Sequence, residues 1–326
     1  MSEQKFKHIS VGKDGSVWAV GKADGTIFRL YGDAGAVGWV RDKKGKAEVI
    51  AAVDWGNAWC VNKDHEIWHL TNAESLDKGG TWTQVPTHSG RADAKTISVG
   101  NDGSVWYAQM DGTLFHSARP GNGTGLSWVQ DKVGKADIIA AIDATSLYCI
   151  NKNREIWFGQ NGKWNQTGTH SGRADAKSIA VNPDGYAWYN STDGAVFRMV
   201  RPGDGVGLPL WGTSWDRKQM GKADVLAVGP QDLVWCLNTK GEVWRAFDDK
   251  WQQLTESSPN GRTWTYTVKS GDGLMAIVRK EFKLKDPQDT QESNRMVALI
   301  VAQNRAHLPH LTRDRVKAGD TLALRY

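Results

Sequence analysis

The sequence predicts an all-β chain: a six-bladed β-propeller over residues 1–256, a linker at 257–261, and a small α+β unit of strand, helix, helix, strand order over 262–326. Three observations lead there. A segment of about 40 residues recurs six times, the length of one four-stranded blade. Each copy holds short apolar runs separated by Asp-Gly or Asn-containing turns. The composition, with 36 Gly, 17 Trp and only 9 Pro, suits many short strands joined by glycine turns and wedged apart by large rings.

Within the first repeat the predicted strands are Ile9 to Val11, Ser16 to Val20, Thr26 to Leu30 and Gly38 to Arg41, with Asp14-Gly15 and Asp24-Gly25 as hairpin turns. The stretch from Ile9 to Trp18 returns from Ile97 to Trp106 and, more loosely, from Ile179 to Trp188. Between these lie related half-repeats at Ala51 to Asp54, Ala140 to Asp143 and Ala227 to Pro230, so three doublets make the six blades. The even repeats replace Asp-Gly with Asn62-Lys63-Asp64-His65, Asn151-Lys152-Asn153-Arg154 and Asn238-Thr239-Lys240-Gly241. Because each repeat begins at its inner strand, the N-terminal strand should close the ring inside the first blade, without strand exchange.

Twelve tryptophans fall on this grid. Trp18, Trp106 and Trp188 share one column, and Trp68, Trp157 and Trp244 its even counterpart; Trp39, Trp128, Trp215, Trp82, Trp164 and Trp251 open outer strands. Repetition at strand positions is what blade-on-blade packing requires, so these are expected to be packing residues. Trp55 and Trp211 lie off the grid and are candidates for ligand contact.

A short turn is written five times in two spellings. Gly45-Lys46-Ala47-Glu48, Gly134-Lys135-Ala136-Asp137 and Gly221-Lys222-Ala223-Asp224 form one; Gly90-Arg91-Ala92-Asp93 and Gly172-Arg173-Ala174-Asp175 form the other. Two readings stand. In one, the carboxylate caps backbone N–H groups and pairs with the cation of its own turn, purely for architecture. In the other, Lys46, Glu48, Arg91, Asp93, Lys135, Asp137, Arg173, Asp175, Lys222 and Asp224 present cations and carboxylates at blade junctions, where sugar hydroxyls are held by charge-assisted hydrogen bonds.

Several functions are disfavoured. Residues 262–326 carry 12 Lys and Arg against 7 Asp and Glu, while residues 1–261 carry 29 of each, so the propeller lacks the basic surplus of a nucleic-acid binder. No stretch is long and apolar enough to span a membrane. Cys60, Cys149 and Cys236 occupy equivalent strand positions in three repeats, which argues for buried thiols rather than disulfides or a metal site. No apolar run follows Met1, so the expectation is cytoplasmic synthesis without a signal peptide and signal-independent export to an extracellular site of action. Neither a phosphate-cradling loop nor a nucleophile with its base is found, and His88 and His170, copied in register, make poor catalysts; no cofactor, metal or catalytic residue is assigned.

The run Val-Gly-x-Asp-Gly-x-Val-Trp, with its Gly-punctuated strands and paired aromatic columns, resembles tectonin repeats over about residues 5–256. That resemblance implies a six-bladed propeller that binds glycans or microbial lipopolysaccharide at repeated sites between blades and is not an enzyme. The tail, headed by Tyr266-Thr267-Val268-Lys269-Ser270-Gly271-Asp272-Gly273-Leu274, resembles a LysM domain. This implies binding of peptidoglycan or chitin through Gly271, Asp272, Gly273 and Leu274 and, before the last strand, Asn304. Gly273 stands where the family has Thr, and 283–293 reads as an insertion. The functional expectation is a multivalent, lectin-like protein. The alternative is a docking component of a phage-tail-like or contractile-injection-like assembly, attached through the tail.

Overall fold

The computed structural model describes residues 4–31, 38–71, 80–117, 127–200, 214–247, 250–254, 263–281 and 315–325, with isolated positions at 297, 300, 301, 308 and 312. Six four-stranded antiparallel sheets follow one another along the chain, each contiguous in sequence and ordered from inner to outer strand. Blade 1 comprises Phe6–Val11, Val17–Gly21, Thr26–Tyr31 and Gly38–Lys46; blade 6 comprises Val225–Val228, Val234–Leu237, Val243–Phe247 and Lys250–Gln253. Among the described residues no strand is exchanged between blades, as expected. The ring closes by packing Phe6, Ile9 and Phe28 of blade 1 on Ala227, Trp235 and Leu237 of blade 6. The Phe6 N–H donates to the Gly241 carbonyl at 2.9 Å, and Lys5 pairs with Glu242 at 3.2 Å.

Second strands are buried along all or all but one of their residues, completely so in Val17–Gly21, Ser146–Ile150 and Ala187–Ser191. A neighbour covers each face, so the polar alternation of a one-sided sheet is lost. The core is accordingly six apolar clusters, one per junction. Trp18, Trp106 and Trp188 are at most 3% exposed. Each such ring contributes on the order of 1.5–3 kcal/mol or more through burial.

Junctions come in two alternating kinds, which is the physical meaning of the doublet. At junctions 2–3 and 4–5, Tyr107 and Tyr189 stack edge-on against Trp128 and Trp215, with centroids 4.7 Å apart in both. Their hydroxyls accept from the His88 and His170 backbone N–H at 2.8 and 2.7 Å. At junctions 1–2, 3–4 and 5–6, Ser10, Ser98 and Ser178 accept the N–H of Ala52, Ala141 and Leu226 at 2.9 to 3.0 Å.

The outer strand of blade 1 runs past the predicted end at Arg41 as far as Lys46. A bulge carries it there, since Phe28 pairs with Arg41 but Thr26 with Lys46. In the tail, Thr263–Thr267 pairs antiparallel with Thr321–Arg325, and Leu274–Glu281 is helical. Leu274, Ile277, Val278, Val297, Ile300 and Leu322 bury one another. The second predicted helix is described only at Val297, Ile300 and Val301, so the strand–helix–helix–strand unit is seen in part; the linker at 257–261 lies outside the described residues.

Candidate functional site

The two spellings of the repeated turn prove to be two different structures. In the Gly-Lys-Ala copies the alanine is buried, with Ala47, Ala136 and Ala223 at most 5% exposed; in the Gly-Arg-Ala copies Ala92 and Ala174 are exposed. The buried alanines donate their N–H to Gly25, Gly112 and Gly194 of the preceding hairpin turn, each at 2.8 to 2.9 Å.

The first spelling exists to seat a tryptophan from the next blade. A Cβ on Gly45 would lie 2.6 Å from Cζ2 of Trp82, and one on Gly134 2.2 Å from Cζ2 of Trp164, so only glycine allows the approach. Asp42, three residues earlier, orients the ring. Its Oδ1 accepts the N–H of Lys44 and Gly45 at 2.7 and 2.9 Å, and its Oδ2 accepts from Nε1 of Trp82 at 3.0 Å. Asp131 repeats the arrangement for Val133, Gly134 and Trp164. Beside each ring a second indole is anchored: Nε1 of Trp68 donates to Glu66 at 3.1 Å, and that of Trp157 to Glu155 at 3.4 Å.

These indoles line a groove between blades 1 and 2 of about 610 Å³, walled by Asp24, Lys44, Lys46, Glu48, Asn62, Lys63, Asp64, Trp68 and Trp82. Its size is that of a small-ligand site. Lys46 bridges to Asp24 at 3.3 Å and Lys135 to Asp111 at 3.0 Å. The Thr26 hydroxyl and N–H, with Lys46 behind them, hold the Asp24 carboxyl down to about 2. The Thr113 N–H, then Lys135, do the same for Asp111. Among the described residues, the side chains of Lys44, Lys63 and Asp64 make no ion pair or hydrogen bond, which leaves them available at the rim.

The expectation that each turn pairs its own cation with its own carboxylate is therefore corrected. Lys46 and Lys135 reach back to the preceding hairpin, while Glu48, Asp137 and Asp224 bind Lys7, Lys95 and Lys177 of the preceding blade's inner strand. The cause is where each residue sits: Lys46 ends the outer strand of blade 1, beside that blade's own hairpin turn, whereas Glu48 lies past the turn, immediately before the inner strand of blade 2 at Val49. Lys95, Asp137, Lys177 and Asp224 line the central channel, a cavity of about 370 Å³.

In the second spelling Asp93 and Asp175 are held in their own turns by Ser89 and Ser171 at 2.6 and 2.8 Å. Arg91 and Arg173 are exposed and, among the described residues, unpaired. They stand at junctions 2–3 and 4–5, away from the indole-lined groove. Trp55, expected as an exposed contact, is half-buried under Arg29, whose guanidinium lies 3.6 Å from the ring centroid. Trp211 and Asn304 lie outside the described residues. In the tail, Leu274 is 2% exposed and belongs to the core. Asp272 accepts from the Tyr266 hydroxyl and the Lys269 N–H, each at 2.8 Å, leaving Gly271 and Gly273 exposed.

Groove residues that sequence reasoning passed over are Asp42, Asp131, Glu66, Glu155, Lys44, Lys63 and Asp64. A signal was present: Asp stands three residues before Gly in two of the three copies. The thiols of Cys60, Cys149 and Cys236 are buried and free, and burial pushes the Cys149 thiol up to about 12.

Residues 1–144 match the family model of the tectonin domain; the match does not reach the tail. No curated protein matches in sequence. Among solved structures, the chain is similar to a virginiamycin B lyase from Staphylococcus aureus at 13% identity and a TM-score of 0.50, covering 78% of this chain and 85% of that one. It is similar to a streptogramin B lyase at 17% identity and 0.49, covering 81% and 87%, and to human WBSCR16 at 10% and 0.49, covering 80% and 83%. At such identities the likeness to the first concerns the propeller fold alone.

Proposed function

The chain carries a tectonin-repeat β-propeller, and on that premise we propose that it is a non-enzymatic, lectin-like protein binding glycans of a cell surface or cell wall at its interblade grooves. The observation that carries the reading is the groove between blades 1 and 2, floored by Trp68 and Trp82 and rimmed by Lys44, Lys63, Asn62 and Asp64. An indole face packs against the C–H face of a pyranose, and the rim supplies donors and acceptors for its hydroxyls. Hydrogen bonds to Asp42 and Glu66 hold both rings in place before any ligand arrives, which lowers the ordering cost of binding. Repetition of the arrangement at blades 3 and 4 supports multivalent attachment to a surface displaying many copies of one sugar.

We extend the proposal to the tail as a LysM-like module that adds attachment to peptidoglycan or chitin. Its support is the Tyr-Thr-Val-Lys-Ser-Gly-Asp motif and the strand–turn–helix that follows it. A glycan array carrying lipopolysaccharides, peptidoglycan fragments and chitin oligomers tests the whole reading. The expected result is binding to a narrow set of microbial glycans, weakened by Trp82→Ala. Absence of binding at high protein valency would overturn it.

A further inference from the structure

The three junctions that carry Gly-Lys-Ala turns are not equivalent, and the difference bears on how many sugars the propeller holds. Outer-strand register aligns them: Phe28 pairs with Arg41, Phe115 with Gln130 and Phe197 with Arg217. The next residue is Asp42, Asp131 and then Lys218, and two positions later stand Lys44, Val133 and Met220. Lys44 is exposed and Val133 is 66% exposed, whereas Met220 is 7% exposed. Met220 belongs to the apolar cluster of junction 5–6, on which the half-buried Trp244 and Trp251 pack as their counterparts Trp68 and Trp82 pack on the cluster of junction 1–2, where neither Lys44 nor any residue in its place takes part.

The indoles differ as well. Nε1 of Trp244 and of Trp251 is buried with no hydrogen-bond partner among the described residues, while all four counterparts donate to carboxylates. Lys218, which replaces the orienting Asp, offers no acceptor and pairs with Asp216 at 2.9 Å instead. Trp251 accordingly turns its Cδ1 edge toward Gly221, at 3.1 Å from a Cβ placed there, where Trp82 and Trp164 present Cζ2 and Cε2 to their glycines.

We propose that Met220 closes the groove between blades 5 and 6, so that the propeller offers two open indole-floored sites for a pyranose and not three. The inference rests on the glycan-binding reading above. It makes Met220 and Lys218 the residues that set valency, and it breaks the threefold pattern of the repeats at the one junction where the orienting carboxylate is missing.

The test is indole ¹H–¹⁵N NMR on the full chain, titrated separately with triacetylchitotriose, a lipopolysaccharide core oligosaccharide and a muramyl disaccharide-peptide. A probe that binds is expected to shift the Trp82 and Trp164 signals and leave Trp244 and Trp251 in place. In the double variant Met220→Lys, Lys218→Asp the Trp251 signal should respond too, with calorimetric stoichiometry rising from two to three; Met220→Ala serves if that variant does not fold. A shift of Trp251 in the unaltered protein overturns the proposal. If no probe moves any indole, the glycan-binding reading fails by itself, and closure is decided by peroxide oxidation. Met110, 52% exposed, should then oxidise while Met220 is spared, and equal oxidation of the two overturns closure.

Discussion

Removal of the Asp42 carboxylate should unsettle both the blade 1–2 junction and the groove above it. Asp42 is 1% exposed and accepts three hydrogen bonds, from the N–H of Lys44 and Gly45 and from Nε1 of Trp82. A hydrogen bond to a charged group is worth about 1.5–3 kcal/mol, and a buried donor left unmade costs about 1–3 kcal/mol. The three share one acceptor and are not additive, and Lys44 and the edge of Trp82 regain water at the open groove. The expected loss for Asp42→Ala is thus about 3 kcal/mol, or roughly 6–12 °C in Tm for a propeller of this size. Asp42→Asn, which keeps one acceptor oxygen, should recover part of it. Lys218→Ala, at the equivalent place in blade 5, should cost under about 1 kcal/mol because its contact with Asp216 is a surface pair. Urea unfolding and calorimetry of the three variants measure this. Equal losses for Asp42→Ala and Lys218→Ala would refute the assignment of Asp42 as the residue that fixes Trp82.

Four further outcomes are expected. His8 lines the central channel, and burial, with the Lys7 charge adding, lowers its pKa from 6.5 to about 4. The unfolded chain therefore takes up this proton first as pH falls, and stability should drop between pH 6.5 and 4 by up to about 3 kcal/mol, less whatever channel water relieves; urea midpoints of His8→Gln should be flatter across that window. The depressed Asp24 and Asp111 carboxyls, lowered from 3.8 to about 2, contribute stability that is lost only at more acid pH, between those two values, outside the His8 window. Trp82→Ala and Trp164→Ala should each remove one site, lowering retention on an immobilised glycan by about tenfold or more through lost avidity, with single-site affinity at the other groove unchanged by calorimetry. Arg91→Ala and Arg173→Ala should leave binding intact and change stability by under about 0.5 kcal/mol; a loss of binding with the fold preserved would return these arginines to the sugar site.

The propeller was legible in the sequence because its information is local and repeated. Asp-Gly turns, alternating strands and tryptophan columns recur in phase, and each copy confirms the others, so strand positions and the ring's closure without exchange followed directly. In the tail the expected order of strand then helix was legible, and the helix stands at Leu274–Glu281, beginning at the last residue of the Tyr266 to Leu274 motif. The site was less so. Trp68 and Trp82 were assigned to packing, which they do, but one edge of each also faces the groove; a strand period says which face a ring takes and not whether that face is fully covered. The turn's cation and carboxylate looked like partners because they are neighbours in sequence, yet Lys46 finds Asp24 and Glu48 finds Lys7.

What the sequence by itself determined is the repeat, and with it the number of blades and the buried thiols. What only the tertiary structure decided is which copies of the repeat are open. Charge pairs and cavities arise where two blades meet, between residues about 40 positions apart, and the exposure of Val133 against the burial of Met220 depends on how neighbouring indoles pack. Local pattern sets the strand; the contact across the junction sets the site, because the free energy of burial belongs to the pair of surfaces and not to either chain segment alone.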